Sequence, residues 1–290
     1  MLVNELKAIF HKELDTIYGI DEVFSFFFML TEAYCNMSRL DVALDTALSI
    51  TKEEQDPLFK ALEALKRNTP IQYILGETEF YGLPFAVNEN TLIPRPETEE
   101  LVQLIIDAHP KQSGTDKISI LDIGTGSGCI AISLAKNIKD SAVCALDVSA
   151  KAIKKAKENA VLNAVNIDFV EVDILDESTW GLATRVSKFD IIVSNPPYVR
   201  HLEKQQMQAN VLDNEPHLAL FVEDNDPLVF YNAITKFAVT NLKPKGELYF
   251  EINEYLGQEM ITLLETYGFS NIKLVQDMFG KDRMISGLNK

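Results

Sequence analysis

The chain has 290 residues, 47% of them hydrophobic, enough for a sizeable buried core and roughly two domains. Lysine and arginine number 27 against 43 acids, a net charge of −16. That balance argues against a duplex nucleic acid partner, whose affinity rests on cations set against phosphates. Three widely spaced cysteines, Cys35, Cys129 and Cys144, give neither a disulfide framework nor a metal-ligand spacing, which fits a reducing cytoplasm. Met1 to Phe10 lacks a basic stretch leading into an apolar one. The most apolar early run, Val23 to Leu30, falls far short of the ~20 residues of a membrane span.

Residues 1–76 are predicted to be helical. Leu2, Leu6, Ile9 and Phe10 recur at helical spacing, and Val23, Phe24, Phe27, Phe28 and Leu30 mark a thick apolar face. Asp41 to Leu48 reads as a third, short helix. Asp56 and Pro57 fit an N-cap and a first helical residue ahead of the stripe Leu58, Phe59, Leu62 and Leu65. This segment is either a bundle that only packs on its neighbour or a domain that recognises a macromolecule.

Residues 77–93 read as a β-hairpin linker, with Phe80-Tyr81 and Phe85-Ala86-Val87 flanking Gly82-Leu83-Pro84. Pro94-Arg95-Pro96-Glu97-Thr98-Glu99 then opens a helix whose buried side is Leu101, Val102, Leu104 and Ile105. Arg95 suits a ligand carboxylate or a surface salt bridge equally.

From residue 117 strands and helices alternate, the pattern of an α/β domain with a mostly parallel sheet covered on both faces. Strands are expected at Ile118–Ile123, Ala142–Leu146, Ile167–Val172, Phe189–Val193 and Glu247–Ile252. Helices are expected at Ile130–Lys136, Ala150–Asn163, Leu228–Thr240 and Gly257–Tyr267. Ile272–Gln276 and Arg283–Gly287 lie close enough for a terminal hairpin, so the last strand should run antiparallel.

Four strand ends carry chemistry. After the first comes Asp122-Ile123-Gly124-Thr125-Gly126-Ser127-Gly128, a glycine-rich strand–loop–helix junction. Its Gly-x-Gly-x-Gly spacing differs from the Gly-x-Gly-x-x-Gly of dinucleotide sites, so it need not cradle a pyrophosphate. Asp147 ends the second strand, roughly 20 residues on, where an acid takes ribose hydroxyls; the capping of the next helix falls better to Ser149. Asp173, with Ile174 beside it, ends the third and can accept from an adenine amino group. Asn195-Pro196-Pro197-Tyr198 ends the fourth. There the Asn195 amide oxygen and the Pro196 carbonyl form an acceptor pair on a stiff loop, with Tyr198 as a stacking wall. Such a corner suits a planar NH2 group. A phosphate-free nucleoside cofactor beside a reader of NH2 groups points to S-adenosylmethionine and amino methylation.

In that motif order the chain resembles the class I methyltransferases that modify planar nitrogens, which have a Rossmann-like sheet. Within them it resembles the release-factor glutamine N5-methyltransferases, the PrmC/HemK family. The likeness runs over nearly the whole chain and rests most specifically on Ile71-Gln72-Tyr73-Ile74-Leu75-Gly76 and Leu92-Ile93-Pro94-Arg95-Pro96-Glu97-Thr98-Glu99, with Glu215-Pro216 and Gly280-Lys281-Asp282-Arg283 besides. Adenine-DNA methyltransferases, the competing reading, share only the Asn195–Tyr198 signal. One departure is Asn253 in Glu251-Ile252-Asn253-Glu254, where the family more often has glycine; it is expected to lie away from the chemistry. The resemblance implies a methyltransferase domain over 94–290 and a helical domain that holds the substrate, the glutamine of a Gly-Gly-Gln tripeptide in class 1 peptide release factors. It further implies S-adenosylmethionine held by Gly124 to Gly128, Asp147, Asp173, Ile174 and Asn195. Asn195 and Pro196 would be catalytic, and Asn195 to Tyr198 would bind substrate. The chain is expected to act as a monomer, without metal, membrane or direct nucleic acid contact.

Overall fold

A computed structural model describes residues 1–45, 47–110, 117–183 and 188–290, and the chain divides into two compact units. The smaller takes in Met1–Gly76 together with residues 208–214. Its helices are Val3–Tyr18, Ile20–Cys35, Arg39–Leu44, Lys52–Leu65 and Ile71–Leu75, with Ala209–Asn214 from the later segment. The predicted apolar stripes meet in one core, where Leu6, Phe10, Leu14, Phe27, Leu58 and Leu65 are buried. Phe10 and Phe27 meet edge to face with ring centroids 5.3 Å apart. Asn214 Nδ2 donates to the Asn68 carbonyl at 3.0 Å, tying in the later segment.

Two helix starts differ from expectation because capping boxes override the local cues. The third helix begins at Arg39, not Asp41, since the Ser38 side chain caps it and Asp41 reaches back to the Ser38 N–H at 2.9 Å. The fourth begins at Lys52. Thr51 accepts from the Glu54 N–H at 3.2 Å and Glu54 accepts from the Thr51 N–H at 2.7 Å, which leaves Pro57 inside the helix.

The larger unit spans Glu77–Met207 and Glu215–Lys290. It begins with a hairpin, β1 (Glu77–Phe80) and β2 (Leu83–Ala86), whose turn residues Tyr81 and Gly82 have φ of +52° and +70°. Positive φ at both turn positions matches the right-handed twist of the strands. The hairpin is not a free linker. Phe80 and Phe85 are buried in the core, Asn159 Oδ1 accepts from the Ala86 N–H at 2.7 Å, and Asn163 Nδ2 donates to the Pro84 carbonyl at 2.8 Å. Sequence reading called it a linker because its strands are short; their anchors come from a helix some seventy residues on, roughly twice the reach of one βαβ unit.

The main sheet has seven strands: β3 (Ile118–Ile123), β4 (Ser141–Asp147), β5 (Asp168–Glu171), β6 (Phe189–Ser194), β9 (Leu242–Glu251), β10 (Ser270–Gln276) and β11 (Asp282–Leu288). A separate parallel pair, β7 (Val199–Arg200) and β8 (Phe221–Val222), lies between β6 and β9 in sequence. The strand order is β10-β11-β9-β6-β3-β4-β5. Neighbours from β9 to β5 are parallel, while β11 runs antiparallel to both β9 and β10. Leu121 and Ile123 of β3 join one apolar cluster and Ile120 joins another, so helices cover both faces. From β3 the chain winds to one side through β4 and β5, then returns to β6 on the other. That reversal opens a crevice beyond the carboxyl ends of the strands.

Candidate active site

One open cleft occupies this crevice, about 900 Å3 with the solvent space at its mouth included. Its walls include Gly124 and Gly126 after β3, Asp147 at the end of β4, Asp173 and Ile174 beyond β5, and Asn195, Pro196 and Pro197 beyond β6. Four strand ends thus bring together residues spread over some seventy positions. Leu92, Val172, Pro216 and Phe230 add apolar wall that sequence reading did not assign.

Four backbone N–H groups of the glycine loop, those of Gly124, Thr125, Gly126 and Gly128, are spent within the protein. The Gly124 and Thr125 N–H groups both donate to the Leu146 carbonyl at 2.9 Å, and the Gly126 N–H donates to Asp147 Oδ2 at 2.8 Å. Such a loop is not an open nest for phosphate. Gly126, at φ +56°, has open space where a Cβ would stand. Gly128 has a different task from the expected one. A Cβ there would come within 3.0 Å of Ile132 Cδ1 and 3.1 Å of Ala156 Cβ, so this glycine admits the close approach of two helices. Thr125 and Ser127 are buried, and neither they nor Gly128 form part of the cleft wall. The Thr125 hydroxyl donates to Asp122 Oδ2 at 2.6 Å, and the Ser127 carbonyl accepts from Asn159 Nδ2 at 2.8 Å. These three residues shape the loop.

Acids surround this end of the cleft. Asp147 accepts from the Ser149 N–H at 2.9 Å as well as from Gly126, and burial pushes its carboxyl above the ordinary carboxylate range. The helix cap falls to Ser149, whose Oγ accepts from the Ala152 N–H at 3.2 Å. Asp173 Oδ1 accepts from the Leu175 N–H at 2.9 Å. Asp122 is wholly buried beneath the loop, its Oδ1 has no partner among the described residues, and burial pushes its carboxyl up to about 7. Two carboxylates, Asp147 and Asp173, thus stand in the wall of a largely apolar cleft, while Asp122 lies buried outside it.

The opposite end is built from side chains. Asn195 Nδ2 donates to Thr98 Oγ1 at 3.2 Å, and the Thr98 hydroxyl donates to Glu251 Oε2 at 2.6 Å. Tyr198, expected as a stacking wall, is half-buried. Its ring packs on the core, and its hydroxyl donates to Glu251 Oε1 at 3.0 Å. Asn253 also lies at the site and not away from it, since its Nδ2 donates to the Tyr198 carbonyl at 3.0 Å and to Glu203 Oε2 at 3.0 Å. Arg95 is occupied by Glu215, at 2.5 Å, and Glu215 also accepts from the Ile93 N–H at 3.2 Å. That pair fixes the start of the helix Pro96–Ala108, which carries Thr98 in its first turn. Arg283 lies against Asp277, at 3.2 Å, and its charge faces Tyr198 and Glu251. Thr98 and Arg283 sat unassigned inside two of the segments that carry the family resemblance, and nothing in those largely polar segments singled them out.

Comparison with known proteins agrees with this geometry. The methyltransferase small domain matches residues 102–223, and the PrmC N-terminal domain matches residues 26–76. The fold resembles the 16S rRNA N2 G1207 methyltransferase of T. thermophilus, at TM-score 0.52 and 17% identity, over 74% of this chain and 50% of that one. Fold and sequence together define a class I methyltransferase. Release factor glutamine methyltransferases are much nearer in sequence. The one from Flavobacterium psychrophilum is 53% identical over 98% of both chains. The one from Bacteroides thetaiotaomicron is 42% identical over 98% of this chain and 99% of its own. The chain belongs to the release factor glutamine methyltransferase family.

Proposed function

We propose that this enzyme transfers a methyl group from S-adenosylmethionine to the side-chain amide nitrogen (N5) of the glutamine in the Gly-Gly-Gln tripeptide of class 1 peptide release factors. The observation that carries the reading is the Asn195 corner. With Nδ2 engaged by Thr98, the amide oxygen is the atom of the group left to accept from a ligand, and the next residue in the chain is Pro196, whose backbone carries a carbonyl but no N–H. A substrate carboxamide brings two N–H donors, and these two acceptors match them.

The cofactor, when bound, supplies an activated methyl on a sulfonium. Asp147 would hold the ribose hydroxyls, Asp173 and Ile174 the adenine, and Gly124 and Gly126 would let it approach the backbone. A carboxamide nitrogen is a weak nucleophile because its lone pair is delocalised into the carbonyl. Asn195 and Pro196, by accepting its two hydrogens, orient the nitrogen and favour the positive charge that develops on it. Residues 1–76 are the part we assign to holding the release factor, a role in keeping with the PrmC N-terminal domain match. We take the cytoplasm as the compartment and a monomer as the working form; among the described residues no helix is long and apolar enough to cross a membrane.

The test is transfer of labelled methyl from S-adenosylmethionine to purified release factor and, in parallel, to DNA. Label in the release factor that disappears when its Gly-Gly-Gln glutamine is replaced is the expected result. Label in DNA adenine instead would transfer the chain to the competing activity.

A further inference from the structure

An asparagine side chain has nearly the same shape whichever way its amide is turned, yet only one orientation gives a substrate NH2 an acceptor. The chain settles the orientation through its neighbours. Glu251 is the last residue of β9 and is wholly buried, with one oxygen on the Thr98 hydroxyl and the other on the Tyr198 hydroxyl. The Arg283 charge faces the same carboxylate. A carboxylate has no hydrogen to give, so both hydroxyls must donate to it. Thr98 has a single hydroxyl hydrogen, and at 2.6 Å from Glu251 that hydrogen is spent. Thr98 Oγ1 is then left as an acceptor, and the Asn195 atom facing it must be the NH2 group.

We propose that Thr98 and Glu251 are positioning residues for methyl transfer, the chain Glu251–Thr98–Asn195 locking the Asn195 amide with its oxygen toward the substrate nitrogen. The inference rests on the reading of Asn195 as an acceptor for the substrate amide. Neither Thr98 nor Glu251 belongs to the cleft wall, so both act through Asn195. The carboxylate does more than set direction. Each hydrogen bond in the chain polarises the next, so negative charge at Glu251 makes the Asn195 oxygen a stronger acceptor as charge develops on the reacting nitrogen. Burial raises the carboxyl pKa of Glu251 above the ordinary range, while the two hydroxyl donors and Arg283 oppose that rise. Tyr198 hangs from the same carboxylate, so one buried acid fixes both the first and last residues of Asn195–Tyr198.

Methyl transfer to release factor is measured for the full chain and five variants, with S-adenosylmethionine affinity determined separately by calorimetry. Thr98→Val, which keeps the shape and removes the hydroxyl, should lower kcat by about 10- to 100-fold with cofactor affinity and KM for release factor nearly unchanged. Thr98→Ser should recover most of that loss. Glu251→Gln should fail similarly, because its NH2 can donate to Thr98, turn the hydroxyl toward Asn195 and invert the amide. The decisive comparison is Thr98→Val made on Asn195→Ala. If Thr98 acts through Asn195, the second change adds almost nothing; a purely structural role would lower activity as much again. Undiminished kcat in Thr98→Val, a loss that appears in cofactor affinity instead, or additive losses in the double variant would each overturn the proposal. If Thr98→Val does not fold, Thr98→Ala takes its place, and a normal kcat there overturns the proposal equally. Absence of transfer to release factor by the unaltered enzyme would instead overturn the functional reading beneath it.

Discussion

The two ends of the cleft are made by different means. The glycine-loop end is local: Asp122 to Gly128 and Asp147 lie within one strand–helix–strand unit, and backbone N–H groups do most of the holding. The Asn195 end is assembled from far apart. Asn195 reaches Thr98 across 97 positions, Thr98 reaches Glu251 across 153, and Tyr198 reaches Glu251 across 53. The difference teaches where tolerance lies. A local backbone device survives most changes elsewhere in the fold, whereas a chain of side chains fails if any one element shifts by a fraction of a hydrogen-bond length.

The strongest way to break the comparison is at Asn195. Asn195→Ala should cost about 10²- to 10³-fold in turnover, by analogy with the loss of one preorganised polar contact, while cofactor affinity changes little. Asn195→Asp should fail as well, because it loses the NH2 that Thr98 holds and places a second negative charge near Glu251. Turnover at saturating cofactor decides both, and near-normal activity in Asn195→Ala would mean that Pro196 suffices.

The glycine-loop end should respond oppositely. Asp147→Ala should weaken S-adenosylmethionine binding about 10- to 100-fold, the worth of a charge-assisted hydrogen bond to the ribose, with less effect on turnover at saturation. Calorimetric titration measures this, and unchanged affinity in a folded variant would remove Asp147 from the site.

Beneath the loop, Asp122 makes a prediction about pH. Its carboxyl is pushed up to about 7 in the folded chain against 3.8 ordinarily. Below about 4 it is protonated in both states, and its contribution to stability is fully present. As pH rises toward 7 the unfolded chain ionises first, and that contribution is lost, by up to about 1.4 kcal/mol per pH unit. Asp122→Asn should flatten this part of the curve of stability against pH. Parallel curves for the two proteins between pH 4 and 7 would show Asp122 already ionised in the fold.

Gly128 gives the smallest effect. Gly128→Ala puts a methyl at 3.0 Å from Ile132 Cδ1 with φ at +84°, and should lower stability by about 1 kcal/mol or somewhat more. The melting temperature would show it, with cofactor affinity falling only as far as the loop is displaced. A fall in affinity without loss of stability would restore Gly128 to direct cofactor contact.

Much of this was legible in the sequence, for physical reasons that mirror the comparison. Strand periodicity, the glycine loop and Asp147 follow from short-range rules, and the parallel run of the strands with an antiparallel last one came with them; the order of the strands within the sheet did not. The Asn195 loop was legible because two prolines beside an asparagine leave few backbone options. What was not legible depends on contacts between distant segments. Thr98 reads as an ordinary first-turn residue until β9 brings Glu251 to it. Tyr198 reads as a stacking wall, with no sign that its hydroxyl is held by the same acid. Asn253, taken for a harmless departure, proves to brace the Tyr198 carbonyl. Arg95 left two options open, and only the placement of Glu215 chooses between them.

The position of β11 has a consequence for the order in which the protein comes into being. β11 is made after β10 yet lies between β10 and β9, and the Ile252 N–H, one residue past Glu251, donates to the Arg283 carbonyl at 2.8 Å. As a chain grows from its amino end, the glycine-loop half can form early, but β9 remains an open edge until residues 282–288 slot in beside it. Arg283, whose charge faces Glu251, arrives with that same strand. A nascent chain therefore shapes the glycine-loop side of its cleft well before the contacts around Glu251 are complete.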